Sequence, residues 1–177
     1  MARARAKLTI TRASEKQACA LHALITANLD EGRLLPRTLD EITAHADRFT
    51  IVMRGRLVVG CAELAPLSTH VAEVRSLAVD AKERGNGVGA MLVDDIRHRA
   101  HDEGFDKLSA FTHAPGYFSR MGFSIVPHVW MQDKISTDCV KCEQFRRCGQ
   151  YAMVAPIDGP STVDRTAAAS AIHLARA

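Results

Sequence analysis

Residues 84–89 read Arg-Gly-Asn-Gly-Val-Gly, and no other stretch constrains the chain as strongly. Gly85, Gly87 and Gly89 alternate with larger residues. An apolar run at 74–79 precedes them, and Met91, Leu92, Ile96 and Ala100 follow at helical spacing. Glycine lets a backbone turn sharply and approach a ligand closely. The helix that follows opens with N–H groups lacking intrahelical partners and with the positive end of its dipole facing the turn. Strand, glycine turn and helix N-terminus together suit a phosphate or pyrophosphate. A Gly-rich turn alone is a weak signal, and the elements around it decide what kind it is.

The rest of the chain reads consistently with that. Residues 7–11 alternate as a strand, with Leu8 and Ile10 on one face. Ser14 with Gln17, and Thr38 with Glu41, are capping-box pairs that open two helices, the first stopping near Gly32 and the second near Arg48. Residues 34–37 form an extended connector, because a residue before proline avoids the helical region. Residues 49–53 and 57–64 read as a hairpin around Gly55, and 72–79 as a third strand. After the glycine loop come a helix to Gly104, a strand at 107–112, a short helix at 115–121 and a strand beginning at Phe123. The last strand is 151–155. The expected organisation is one α/β domain over residues 1–155 with a mixed sheet, and a flexible tail over 156–177.

Net charge of +3 is too small to argue for nucleic acid. Arg3, Arg5 and Lys7 make the N-terminus basic without an apolar segment behind them, so no secretory signal is expected. No apolar run approaches a membrane span. The expected location is cytoplasmic, with no membrane partner.

The loop does not fit a dinucleotide fingerprint, which requires G-x-G-x-x-G, nor a nucleoside triphosphate loop, which requires G-x-x-x-x-G-K-[ST]. It reads R-x-x-G-x-G. With Leu77-Ala78-Val79-Asp80 before it and Tyr117-Phe118-Ser119-Arg120-Met121-Gly122-Phe123 after it, it resembles the acyl-CoA loop of the GNAT acetyltransferase superfamily. The resemblance spans about residues 7–155. It implies a mixed, mostly antiparallel sheet with flanking helices and a splayed central strand pair, with acetyl-CoA as co-substrate. Backbone N–H groups of Gly85, Asn86, Gly87, Val88 and Gly89 would cradle the pyrophosphate, and Arg84 would add charge. Backbone groups of Leu77, Ala78 and Val79 would hold the pantetheine and the thioester carbonyl, where such donors stabilise an oxyanion.

The flanks narrow the resemblance. Residues 32–42, Phe49-Thr50-Ile51-Val52, Gly60-Cys61-Ala62-Glu63-Leu64 and residues 72–79 are similar to amino-acid N-acetyltransferases of the N-acetylglutamate synthase type, in a short form without the amino-acid-kinase-like domain. That implies glutamate as acceptor, as in arginine biosynthesis. Arginine suits a dicarboxylate because it forms two parallel charge-assisted bonds. The resemblance places Arg37 at the amino-acid carboxylate. Arg75, Arg146 and Arg147 are further candidates, with a surface arginine as the alternative for each. Acetyl transfer requires a neutral amine, hence a proton acceptor. Glu73 is the candidate base and Glu63 the runner-up; an ion pair of Glu73 with Arg75 or a nearby lysine is the alternative reading. Phe118 stands where many members carry a tyrosine acid, so the acid is unassigned.

Cys139, Cys142 and Cys148 form a C-x-x-C-x5-C cluster. Three thiolates with His128 would suit zinc, but no fourth ligand is assigned; buried packing thiols and a redox pair are the alternatives. Cys19 and Cys61 read as small core residues. His98 with Arg97 and Arg99 reads as a solvated helix face, and His70 and His113 as loop residues. Other acceptors, including other amines and protein N-termini, stay open. So do a homodimer and a non-catalytic acyl-CoA module with a cysteine-based sensor.

Overall fold

The computed structural model describes residues 6–29 and 34–158. The expected stop at Gly32, Arg33, the basic Arg3 and Arg5, and most of the expected tail lie outside them. The strands are β1 (Leu8–Arg12), β2 (Phe49–Arg54), β3 (Leu57–Pro66), β4 (Val71–Val79), β5 (Lys107–Thr112), β6 (Ser124–Val126) and β7 (Tyr151–Pro156). The helices are α1 (Ala18–Thr26), α2 (Leu39–Ala44), α3 (Val88–Asp102), α4 (Pro115–Ser119) and α5 (Gln132–Thr137). The strands hydrogen-bond in the order β1-β2-β3-β4-β5-β7-β6. Pairing is antiparallel for β1 with β2, β2 with β3, β5 with β7 and β6 with β7, and parallel for β4 with β5. This is the expected mixed, mostly antiparallel sheet. No helix among the described residues is long and apolar enough to cross a membrane.

Two compact units make up the chain: Met1–Ala65 with Val74–Ile96, and Pro66–Glu73 with Arg97–Ala177. In the first, β2 and β3 form the expected hairpin, with Gly55 at φ 62° in its turn. Both capping-box pairs are realised: the Gln17 side-chain oxygen accepts from the Ser14 N–H at 2.9 Å, and the Glu41 carboxylate accepts from the Thr38 N–H at 2.9 Å. The Thr38 backbone bond is the main reason the Glu41 carboxyl is held below its ordinary range. The core joins Leu21, Leu24 and Ile25 of α1, Ile42 of α2, and Phe49, Ile51 and Cys61 of β2 and β3. Each fully buried aliphatic side chain there contributes about 1.5–3 kcal/mol.

Gly60 of β3 sets how closely α3 packs. A Cβ at this position would stand 2.6 Å from Val88 Cγ1 and 3.1 Å from Leu92 Cδ1. Gly60→Ala is therefore expected to destabilise by about 1–3 kcal/mol, a fall in melting temperature of several degrees in a thermal unfolding curve. An unchanged melting temperature would show that the first turn of α3 yields freely.

In the second unit, the register of β4 with β5 runs Val71↔Lys107, Ala72↔Leu108 and Glu73↔Ser109 and stops there, although β4 continues to Val79. Strand β7 lies between β5 and β6, an order the sequence reading did not foresee. Phe118 and Phe123 meet edge to face at 5.2 Å in the core of this unit. Arg97 corrects an expectation. It is 5% exposed rather than solvated, because its guanidinium donates to the carbonyls of Met121 at 2.7 Å and Pro156 at 3.1 Å. His98 is exposed as expected.

Candidate functional site

The candidate residues fall in both units and are described within each. In the first, a 3-10 turn (Ala81–Glu83) leads from β4 to the glycine loop. Gly85 and Gly87 adopt φ 77° and 78°, a region that costs other residues about 1–2 kcal/mol. A Cβ on either would meet no protein atom within 4 Å, so side chains are missing here on the open side of the loop. Helix α3 begins directly after it, and its first backbone bond runs from the Met91 N–H to the Gly87 carbonyl at 3.0 Å. The N–H groups of Val88, Gly89 and Ala90 therefore belong to the unpaired first turn of the helix, while that of Asn86 donates to the Glu83 carbonyl at 3.4 Å. The loop is braced from below: Glu83, 5% exposed, receives Nε and Nη2 of Arg54, each at 2.7 Å. That bond raises the pKa of the Arg54 guanidinium.

Arg84 is exposed and directed by two acceptors. Its Nη2 donates to Asn28 Oδ1 at 2.6 Å and its Nε to the Val79 carbonyl at 3.3 Å. Asn28 is itself fixed, donating to the Leu24 carbonyl at 2.8 Å. The sequence carried no local signal for Asn28, since its partner lies far along the chain.

Arg37 leaves the extended connector and enters the same unit. Its Nη1 donates to Glu63 Oε2 at 2.8 Å and to Ser76 Oγ at 3.2 Å, and its Nε stands 3.6 Å from Glu41. The Arg37 side chain is 13% exposed and that of Glu63 is 1% exposed. Among the described residues Arg37 Nη2 has no hydrogen-bond partner. Glu63, read as the second candidate base, is thus already held by a guanidinium. Ser76 has φ 51°, the one positive value at a non-glycine position among the described residues. Such strain costs about 1–3 kcal/mol and often marks functional sites. Ser76 stands in β4 just before Leu77, Ala78 and Val79, and its carbonyl accepts from Cys61 Sγ at 3.6 Å. Arg75 is half-buried on the same strand.

In the second unit Glu73 is 4% exposed, at the last ladder position of β4 with β5. Lys134 Nζ lies 2.7 Å from its Oε2. The lysine partner that the sequence reading allowed for is found, 61 residues away on α5. Arg146 and Arg147 sit in an exposed 3-10 turn (Phe145–Arg147). They line an open groove of about 670 Å³ with Val140, Cys142 and Phe145.

The cysteines depart from the expectation of buried packing thiols. Cys139 and Cys142 are half-buried, Cys148 is exposed, and Cys19, expected in the core, is exposed on α1. Partial burial raises the Cys139 thiol pKa. Only Cys61 is a core thiol as expected, its pKa pushed up to about 12 by full burial. Among the described residues no group of three or more His, Cys, Asp or Glu side chains is arranged to hold a metal ion. Phe118 is 6% exposed and packs as core.

The family model described as the acetyltransferase (GNAT) family matches residues 8–123. An uncharacterised N-acetyltransferase of Chlorobaculum tepidum is 31% identical over 137 residues, covering 77% of this chain and 88% of the relative. An amino-acid acetyltransferase of Vibrio vulnificus is 29% identical over 96 residues, or 53% of this chain; the match spans 22% of the length of that relative. Among solved structures, an N-acetylglutamate synthase from Neisseria gonorrhoeae, complexed with coenzyme A and N-acetyl-glutamate, superposes with a TM-score of 0.72 at 22% identity, over 87% of this chain and 36% of that one. Rv2747 from Mycobacterium tuberculosis, solved in complex with CoA, superposes with a TM-score of 0.71 at 23% identity, over 84% and 98% of the two chains. At these identities the solved structures show a shared fold.

Proposed function

The chain belongs to the GNAT acetyltransferase family, and from that premise we propose that it transfers the acetyl group of acetyl-CoA to the α-amino group of an amino acid, with L-glutamate as the favoured acceptor. The observation that carries the choice of acceptor is Arg37. Its guanidinium is nearly buried and clamped through Nη1 by Glu63 and Ser76, with Nη2 left for an incoming carboxylate. Preorganised in this way, it loses little freedom on binding. Arg75 and Arg147 are the further carboxylate candidates. The amino-acid acetyltransferase and N-acetylglutamate synthase relatives support the same reading.

In this proposal the N–H groups of residues 85–89 receive the CoA pyrophosphate at the positive end of α3, and Arg84, directed by Asn28, adds charge. The backbone of Leu77, Ala78 and Val79, beyond the positive-φ residue Ser76, holds the pantetheine arm and the thioester carbonyl. Glu73 accepts a proton from the acceptor ammonium. The freed lone pair attacks the thioester carbon and the C–N bond forms; as the tetrahedral intermediate collapses the C–S bond breaks, CoA leaves as thiolate, and the second proton on nitrogen passes to solvent, leaving the neutral amide. A thiolate is a good enough leaving group to depart without a tyrosine acid, in keeping with Phe118 as core.

The loop has its own test. Gly87→Val places a β-branched side chain at φ 78° and on the face open to ligand. It is expected to weaken CoA binding by about tenfold or more in titration calorimetry. Unchanged affinity would remove the loop from the CoA site. Acceptor profiling against single amino acids tests the choice of glutamate.

A further inference from the structure

We propose that Lys134 is a positioning residue for the base: its ammonium anchors Oε2 of Glu73 and thereby fixes the orientation of the carboxylate that takes the proton. The inference rests on the reading of Glu73 as base and adds a residue that the family match, ending at residue 123, does not reach.

Three contacts define Lys134, all within one unit. Nζ lies 2.7 Å from Glu73 Oε2 and 2.9 Å from Asp138 Oδ2, and 5.2 Å from the centre of the Phe111 ring. Asp138 is four residues further along and on the same helical face, so the lysine is held in place independently of Glu73. The Phe111 ring adds a cation–π contact to the ammonium. The side chains of Lys134 and Glu73 are 13% and 5% exposed.

A buried ion pair is costly to desolvate and is weak evidence for stability on its own. What this one supplies is geometry. A carboxylate on a flexible side chain samples several rotamers; fixing one oxygen fixes the plane of both. Ser109, which pairs with Glu73 across the ladder, donates its hydroxyl to the Ala72 carbonyl at 3.2 Å, so the backbone beneath is also held.

The test is a double-mutant cycle on the full chain, with steady-state kinetics and unfolding curves for the wild type, Lys134→Met, Lys134→Arg, Glu73→Gln and the double variant. The expected result is that Lys134→Met lowers kcat by about tenfold with KM for acetyl-CoA unchanged, and that Lys134→Arg restores most of it. In the Glu73→Gln background, Lys134→Met is expected to change kcat no further, because it acts only through Glu73. If Lys134→Met does not fold, Lys134→Gln takes its place in the cycle. An equal loss in both backgrounds, or a folded Lys134→Met or Lys134→Gln variant with wild-type kcat, overturns the inference while the base reading stands. A Glu73→Gln enzyme with wild-type kcat overturns the base reading, and the inference with it.

Discussion

Glu73→Gln is expected to lower kcat by about 10²- to 10⁴-fold, with KM for acetyl-CoA within a factor of about two of the wild type. Glutamine keeps the volume and the buried position of Glu73, 4% exposed, and loses the proton acceptor together with the charge that pairs with Lys134. An amino-acid ammonium has no lone pair, so without a base the reaction depends on the small neutral fraction or on water. The fold should survive the change. Lys134 loses one carboxylate but keeps Asp138 at 2.9 Å, so its charge is not stranded. Steady-state kinetics with a thiol reagent for released CoA, beside an unfolding curve, reads both effects. A kcat within threefold of wild type in a folded variant would take Glu73 out of the proton transfer.

Arg37→Ala is expected to raise KM for the amino acid by about 10- to 10²-fold and to leave KM for acetyl-CoA nearly unchanged. A charge-assisted hydrogen bond, here from Nη2, contributes about 1.5–3 kcal/mol. The variant has a second effect. Glu63 is 1% exposed and has Arg37 Nη1 at 2.8 Å; His45 Nδ1 lies further off, at 3.9 Å. Removing Arg37 leaves that carboxylate nearly alone in the interior, a cost of about 3–5 kcal/mol. Arg37→Ala with Glu63→Gln relieves this burden without restoring the receptor. The double variant should therefore regain stability and stay defective toward the amino acid. Arg37→Lys keeps the charge but not the two-pronged geometry and should fall between. Recovery of amino-acid KM in the double variant would mean that Arg37 matters for folding alone.

Much of the fold could be read from the residues. Thr38 with Glu41 announced a helix start that the structure realises, and Gly55, Gly85, Gly87, Gly104 and Gly122 all stand where positive φ ends or turns an element. These signals are local, carried by a few adjacent residues. What escaped was set by distant partners. The insertion of β7 between β5 and β6 depends on pairing, which strand alternation does not specify. Arg97 looks like surface beside His98, yet carbonyls at Met121 and Pro156 draw it inside. For the candidate site, the residue types were legible and their partners were not. Arg37 could be singled out, but not its grip on Glu63 and the strained Ser76. Glu73 could be singled out with some lysine beside it, but not Lys134, since residues 132–137 gave no sign of a helix. The cysteine cluster drew attention through spacing, while burial, which spacing does not encode, left Cys148 at the surface.

The choice of acceptor is tested most directly by kcat/KM for L-glutamate against each other amino acid and against small amines, measured with purified protein and acetyl-CoA, in wild type and in Arg37→Ala. The proposal predicts that glutamate has the highest value and that the variant loses its preference for it. Another acceptor ahead of glutamate, with glutamate turnover untouched by loss of Arg37, would contradict it.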